Sequence, residues 1–291
     1  MTDLIRKGDI PLDKSWIIRM GILDLINGYD TIINFLEKQE QLSDDLLALK
    51  RVLKNWNNNE ALDVGESGTL YRFLKFASWK LAKSKKFIVH GTLKQRKICD
   101  NPEIINWPLK KLLELDNKSS QWASASVLLG NKEKIENPPL KLQLTYKALE
   151  HWNQQRKNNQ LWVPRYDKTI EKQALAFLDL LKTGKTNFQP EHSEDYCFAR
   201  AFNLTTKQEA EKKFPSLIGH ETNRIEEMEN AIKKADDKGI VDSKDHRVVQ
   251  AIAMRQKFLG KPVVIENKNA VNKTWPQFWE FLNDSEKLKG T

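Results

Sequence analysis

The chain has 291 residues, 40% hydrophobic and 30% charged, with 9 tryptophans spread along it and no low-complexity tract, which excludes gross disorder and allows two domains with separate cores. No apolar run approaches a membrane span, the N-terminus has no signal-peptide core, and the two cysteines, Cys99 and Cys197, suggest neither a disulfide framework nor a zinc site, so a soluble cytoplasmic protein is expected. The net charge of +9 admits a cleft for polyanionic small molecules or merely solvated lysines on polar helix faces, while no recognition helix, zinc finger or aromatic single-strand motif supports nucleic acid.

Residues 1–13 read as a short extended lead-in. Lys14-Ser15 opens an amphipathic helix carrying Trp16, Ile17, Met20, Leu23 and Ile26 and stopped at Asn27-Gly28, with Arg19 one turn in. A second helix starts at Ser43-Asp44-Asp45. Its acidic pair is read as caps and dipole partners rather than as a metal site. Gly65–Leu74 then carries a helix start at Ser67-Gly68-Thr69, followed by Leu70, Phe73, Leu74, Ala77 and Trp79 on one face. Helix-start amides lack internal partners, and Gly68 lets a ligand approach them closely, so this stretch is a candidate anion site with Arg72 one turn on, while taken alone it reads first as an ordinary N-cap followed by a surface Arg.

Phe87–Gly91 reads as a strand leading to the basic run Lys94-Gln95-Arg96-Lys97. Ser119-Ser120-Gln121 starts a helix that runs to Gly130, and Pro138-Pro139 introduces another. Leu161–Pro164 reads as a short strand before the helix from Thr169 to Leu181. Glu194-Asp195 precedes a buried helix over Tyr196–Phe202. Glu221-Thr222-Asn223-Arg224, Asp245-His246-Arg247 and Lys273-Thr274-Trp275-Pro276 open the last three helices, and Pro262–Ile265 is a strand between the final two.

These openings recur. Ser15, Ser67 and Ser119 are spaced 52 residues apart, and helix starts near 15, 44, 67, 96, 119, 140, 169, 195, 222, 246 and 274 make five and a half two-helix units.

Together the seven polar openings resemble, in order, the motifs of the 5-enolpyruvylshikimate-3-phosphate synthase family: Lys14-Ser15 with Arg19, Glu66–Thr69 with Arg72, Lys94–Arg96, Ser119–Gln121, Glu221–Arg224, Asp245–Arg247 and Lys273–Pro276. The resemblance implies an α/β (α+β) fold, a two-domain inside-out α/β barrel of repeated strand-helix units, here helix-rich and shortened. It implies an N-terminal domain over 14–160 on the shikimate 3-phosphate side. A C-terminal domain over 1–13 and 161–291 would form the phosphoenolpyruvate side, with the active site in a cleft between them and closure over the substrates. It also implies transfer of the enolpyruvyl group to the 5-hydroxyl of shikimate 3-phosphate with loss of phosphate, in a monomer that needs neither metal nor organic cofactor.

By the same resemblance, Lys14, Gly68, Arg96, Gln121, Arg224, Arg247 and Lys273 would bind phosphoenolpyruvate, and Ser15, Arg19, Ser119, Ser120, Gln121 and Asp195 would bind shikimate 3-phosphate. Lys14 and Glu221 would transfer protons at phosphoenolpyruvate. Asp195 would take the hydroxyl proton, although the same residue also reads as a helix cap. Gly68 would leave room for glyphosate.

Four departures touch mainly the acceptor side. Glu66 stands where many members have Asn, Asn223 where Asp is usual, and His220 where a Lys is expected, while the Ser and Tyr expected near residue 140 are not recognisable. A carboxylate at Glu66 would repel the substrates unless Arg72 or Arg96 neutralises it. Two alternatives therefore stand beside the synthase reading. One is an enolpyruvyl transferase for another hydroxylated acceptor, the UDP-amino-sugar enzyme being disfavoured because Ser15 follows Lys14 and the loop before Arg96 has no Cys. The other is an inactive homologue that binds ligands.

Overall fold

A computed structural model describes residues 8–158, 160, 162–217 and 223–285, apart from the side chains of residues 117, 118 and 216. Its contacts separate two units, a first of Leu12–Arg165 and a second of Tyr166–Thr291 with Met1–Pro11. Among the described residues no helix is long and apolar enough to cross a membrane.

The first unit begins with α1 (Lys14–Asn27), whose first turn is capped by the Asp13 carboxylate on the Trp16 amide and whose last turn ends at Gly28 in the left-handed region. Helices α2 (Thr31–Glu37) and α3 (Asp44–Asn55) follow. Strand β1 (Leu62–Asp63) leads into α4 (Gly68–Lys80), and β2 (Phe87–Ile88) returns parallel to β1, pairing Leu62 with Phe87 and Asp63 with Ile88. Two single-turn helices, α5 (Leu109–Leu112) and α6 (Leu115–Lys118), precede α7 (Gln121–Leu128) and the long α8 (Leu140–Asn158).

The second unit carries α9 (Lys168–Thr183), α10 (Tyr196–Ala201), α11 (Lys207–Lys213) and α12 (Arg224–Lys238). Then β3 (Ile240–Val241), α13 (His246–Leu259) and β4 (Val264–Ile265) repeat the strand-helix-strand layout, again with parallel strands, before α14 (Phe278–Asp284). The layouts superpose in sequence, since the paired strands start 25 and 24 residues apart and the crossing helix starts six residues after the first strand in both.

Several helices are buried on every side. Trp16–Asp24 of α1, Trp122–Leu128 of α7 and His246–Met254 of α13 are unbroken buried runs, where the sequence spacing had suggested one apolar face. The buried runs of α1 and α13 include Arg19, Asp24, Arg247 and Gln250, so periodicity of apolar residues alone understates their burial. In the first unit α1, α4 and α7 pack on one another. In the second, α13 packs on α9, α10 and α12 over a core that includes Phe177, Tyr196, Phe198, Trp275 and Phe278.

Some elements differ from the sequence reading. Arg96 does not start a helix. It follows a 3-10 turn over Gly91–Gln95 in extended conformation. Helix α2 escaped notice because it begins three residues after the Gly28 stop and buries only Ile32 and Leu36. The strands at 87–91 and 262–265 shrink to their paired residues, and Trp162–Pro164 form no strand, while Leu161 lies outside the described residues. The last helix begins at Phe278 after a 3-10 turn over Lys268–Lys273.

One buried carboxylate ties three helices of the first unit. Asp24, 1% exposed, accepts from the Ile32 amide of α2 at 2.9 Å and from the Trp152 indole and Arg156 guanidinium of α8 at 2.9 and 2.8 Å. Replacing Asp24 by Ala strands these donors and is expected to destabilise the first unit by about 3 kcal/mol. Asp24→Asn, which keeps an acceptor, loses less. Urea unfolding of the two variants against the parent measures the difference.

Candidate functional site

In the first unit the openings of α4 and α7 meet. The Gln121 amide nitrogen donates to the Thr69 hydroxyl at 2.8 Å, and its carbonyl oxygen accepts from Arg72 Nη1 at 2.7 Å. Arg72 also reaches back to the Gly68 carbonyl at 3.2 Å, while its Nε is held by Asp116 at 2.6 Å. A Cβ added at Gly68 would stand 2.9 Å from Arg96 Nη1 and 3.0 Å from Arg72 Nη1, so two guanidinium groups lie against this glycine. Gly68, Arg96 and Gln121 are thus brought together, with two cations and a helix start facing one place. Ser67 caps that helix by accepting from the Leu70 amide, and the Ser119 hydroxyl accepts from the Gln121 amide N–H at 3.3 Å. Ser120 stands at the N-cap of α7 without a side-chain cap bond.

Glu66 is accommodated rather than exposed to an incoming anion. Its carboxylate accepts from the Thr92 hydroxyl at 3.3 Å, and the same hydroxyl accepts from Arg96 Nη2 at 3.1 Å. The space comes from Gly91, where a Cβ would fall 1.7 Å from Glu66 Oε1 and where φ is 47°. The charge that the sequence left unbalanced therefore sits one hydroxyl away from Arg96.

Lys14, at the start of α1, gives its ammonium to Asp45 of α3 at 2.6 Å. Arg19 has a different place from the one the resemblance implies. It is 1% exposed, donates to the Thr145 hydroxyl and to the carbonyls of Ser15 and Lys141 at 2.7, 2.7 and 2.9 Å, and lies over the Phe73 ring. Burial pulls its pKa down to about 10, with Asp13 opposing, and it stays charged near neutral pH. Ser15 offers that strut its carbonyl.

In the second unit Asp245 caps α13 and organises two cations. One oxygen accepts from the Arg247 amide at 2.8 Å and the Val248 amide at 3.4 Å, the other from Arg224 Nε at 2.8 Å. The Arg247 side chain is buried beside Glu194, Nη2 to Oε2 at 3.8 Å, and its Nη1 is enclosed with no hydrogen-bond partner among the described residues. Gln250 of α13 donates to Thr274, next to Lys273, at 3.1 Å. His246 is buried at the start of the same helix. An open hollow of about 390 Å³ lies at the ends of β3 and β4, lined among others by Lys244, Glu266, Asn267 and Lys268.

Asp195 is 2% exposed and occupied as a cap. Its Oδ2 accepts from the amides of Glu191 and His192 at 2.9 and 3.1 Å, and its Oδ1 from Gln173 at 3.2 Å. The next residue but one, Cys197, is fully enclosed, and burial pushes its thiol up to about 12, which leaves it inert as a nucleophile. Glu221 lies outside the described residues. Among the described residues no group of three or more His, Cys, Asp or Glu side chains is placed to hold a metal ion.

Three residues of these networks carried no signal in the sequence. Asp116 stands in the unremarkable run before Ser119, Thr145 lies where a Ser and a Tyr were sought, and Glu194 read only as a helix-start acid. The partnership of Asp45 with Lys14 joins positions 31 residues apart that periodicity does not connect.

Over 53 residues, 18% of this chain and 12% of that protein, the sequence is 45% identical to the 3-phosphoshikimate 1-carboxyvinyltransferase of Clostridium novyi. Over 56 residues, 19% of this chain and 4% of that protein, it is 41% identical to the pentafunctional AROM polypeptide of Schizosaccharomyces japonicus. The similarity spans a small part of either relative. No family-wide sequence profile matches the chain, and no solved structure does.

Gly91 tests the Glu66 arrangement. Gly91→Ala combines a clash with a left-handed backbone and is expected to cost about 2 kcal/mol or more, read as a drop of several degrees in Tm. In a Glu66→Ala background the clash disappears and only the smaller backbone cost remains.

Proposed function

We propose that this chain is an enolpyruvyl transferase that moves the enolpyruvyl group of phosphoenolpyruvate to the 5-hydroxyl of shikimate 3-phosphate and releases phosphate. The observation that carries this reading is the meeting of the α4 and α7 openings, where Gly68, Thr69 and Gln121 face Arg96 and Arg72. A small polyanion is what the Arg96 guanidinium, backbone at a helix start made accessible by Gly68, and the Gln121 side-chain N–H recognise together. The local similarity to a 3-phosphoshikimate 1-carboxyvinyltransferase supports the choice of that anion as phosphoenolpyruvate.

In this proposal Lys14, Gly68, Arg96 and Gln121 hold phosphoenolpyruvate, and Arg224, Arg247 and Lys273 are the further ligands that the resemblance implies. The acceptor hydroxyl adds through its oxygen to C2 and gives up its proton to a base while a proton goes to the methylene carbon, and the tetrahedral adduct then loses phosphate and returns a proton from the new methyl group. Lys14 and Glu221 are the proposed proton carriers. Asp45 accepts from the Lys14 ammonium at 2.6 Å and fixes where that group sits.

Two observations favour a second reading in which the acceptor is a different hydroxyl compound. All of the proposed Arg19 contacts to shikimate 3-phosphate compete with three protein acceptors in the interior, and Asp195 would have to surrender its cap to act as a base. Ser15, Ser119 and Ser120 remain as acceptor ligands in the synthase reading.

Phosphate release by the purified protein with both substrates is the test. Release that requires both, and that falls by about a hundredfold or more in Lys14→Met and Glu221→Gln, supports the synthase. Release with phosphoenolpyruvate and another hydroxyl compound supports the second reading. Binding of phosphoenolpyruvate with no turnover under any acceptor overturns both.

A further inference from the structure

Asp116 stands immediately before the segment that starts α7, with φ of 48°, a left-handed backbone that residues with a Cβ avoid unless something holds them there. What holds it is its own carboxylate, whose side chain is 5% exposed. Oδ2 accepts from Arg72 Nε at 2.6 Å and from the Trp122 indole at 2.7 Å, while Oδ1 accepts from the Cys99 amide at 3.0 Å. Three donors from three segments fix the carboxylate, and the carboxylate in turn fixes one edge of the Arg72 guanidinium.

The other edge of that guanidinium reaches the anion site. Arg72 Nη1 donates to the Gln121 carbonyl oxygen at 2.7 Å, which settles the orientation of an amide that could otherwise turn end for end. With oxygen toward Arg72, the amide nitrogen donates to Thr69 at 2.8 Å and keeps a second N–H available for a ligand. The reversed amide would present an oxygen to the bound anion and an N–H to a cation, both repulsive. Asp116 also neutralises Arg72 where it lies, 7% exposed at its side chain, so an arriving anion gains nothing by pulling Arg72 out of place.

We infer that Asp116 is a positioning residue for the anion site at the openings of α4 and α7, acting through Arg72 to hold the Gln121 amide with its N–H toward the ligand. The inference deepens the proposed function and rests on reading that place as the phosphoenolpyruvate site. Trp122 shares Oδ2 with Arg72 and so reports on the network from the side away from the ligand.

The test uses the full chain and follows binding by calorimetry and by the Trp122 indole N–H signal in NMR, assigned with Trp122→Phe. Phosphoenolpyruvate and inorganic phosphate are titrated separately into the parent, Asp116→Asn, Gln121→Ala and the double variant. Each single change is expected to weaken phosphoenolpyruvate binding about tenfold, the scale of misplacing one binding group. The double variant should bind no more weakly than the singles, because both act through the same amide. In the parent, anion binding should shift the Trp122 signal. Losses that add in the double variant, or unchanged binding in Asp116→Asn, would overturn the inference, as would a parent that binds neither anion. Should Asp116→Asn fail to fold, Arg72→Lys, which keeps the charge but not the fork, takes its place with the same expected coupling. A parent that binds both anions and shows the coupling but releases no phosphate with shikimate 3-phosphate would sink the synthase reading and leave the positioning role standing.

Discussion

The bond between Arg72 and Asp116 is the interaction on which the first unit depends. Arg72 lies on the buried face of α4 and cannot leave its charge to water, so that charge must find its opposite inside the unit. Asp116 answers Arg72, and in doing so it also takes the Cys99 amide and the Trp122 indole, drawing α6 and the start of α7 onto α4. Around this contact the stacked rings of Trp79 and Trp122 close the apolar side, with centroids 5.9 Å apart and planes at 15°. Removing either partner leaves a charge in a place where hydration cannot replace it. A bond of this kind contributes less to net stability than to fixing a single arrangement of the helices it joins.

The second unit solves the same problem with a different residue. There the N-cap of α13 doubles as the counter-charge, since Asp245 caps with one oxygen and holds Arg224 with the other. Arg247, one position inside the helix, is buried with an enclosed nitrogen, so its charge is held in place without being fully answered. Both units therefore present cations at the start of a buried helix that follows a short parallel strand. In one the cations are neutralised from a neighbouring loop, and in the other from the cap itself. The difference follows from the cap residue, because Ser67 has no charge to offer and Asp245 does.

Helix starts were the most legible feature of the sequence. Asp245, Asn223 and Ser67 all cap where polar residues interrupt apolar spacing, because capping is a local interaction between residues two or three apart. That Gly68, Arg96 and Gln121 belong to one place was implied only by the family resemblance, since the spacing of the repeats does not join them. What could not be read was how the buried charges pair. Arg72 with Asp116 and Arg19 with Thr145 join positions 44 and 126 residues apart, and nothing in spacing or composition connects them. For the same reason the enclosure of Arg19 was not legible, because the residues that surround it come from α4 and α8. The strands were overestimated because β-branched residues favour extended backbone, whereas only two residues of each run find a partner.

The short parallel strands have a kinetic consequence. Each pair encloses one helix within about 25 residues of chain, so strand pairing here requires closing only a local loop. Either strand-helix-strand unit can take shape before distant segments arrive. The contacts that join remote positions, such as Arg19 to α8 across 126 residues, then lock together pieces already formed instead of having to find each other in an open chain.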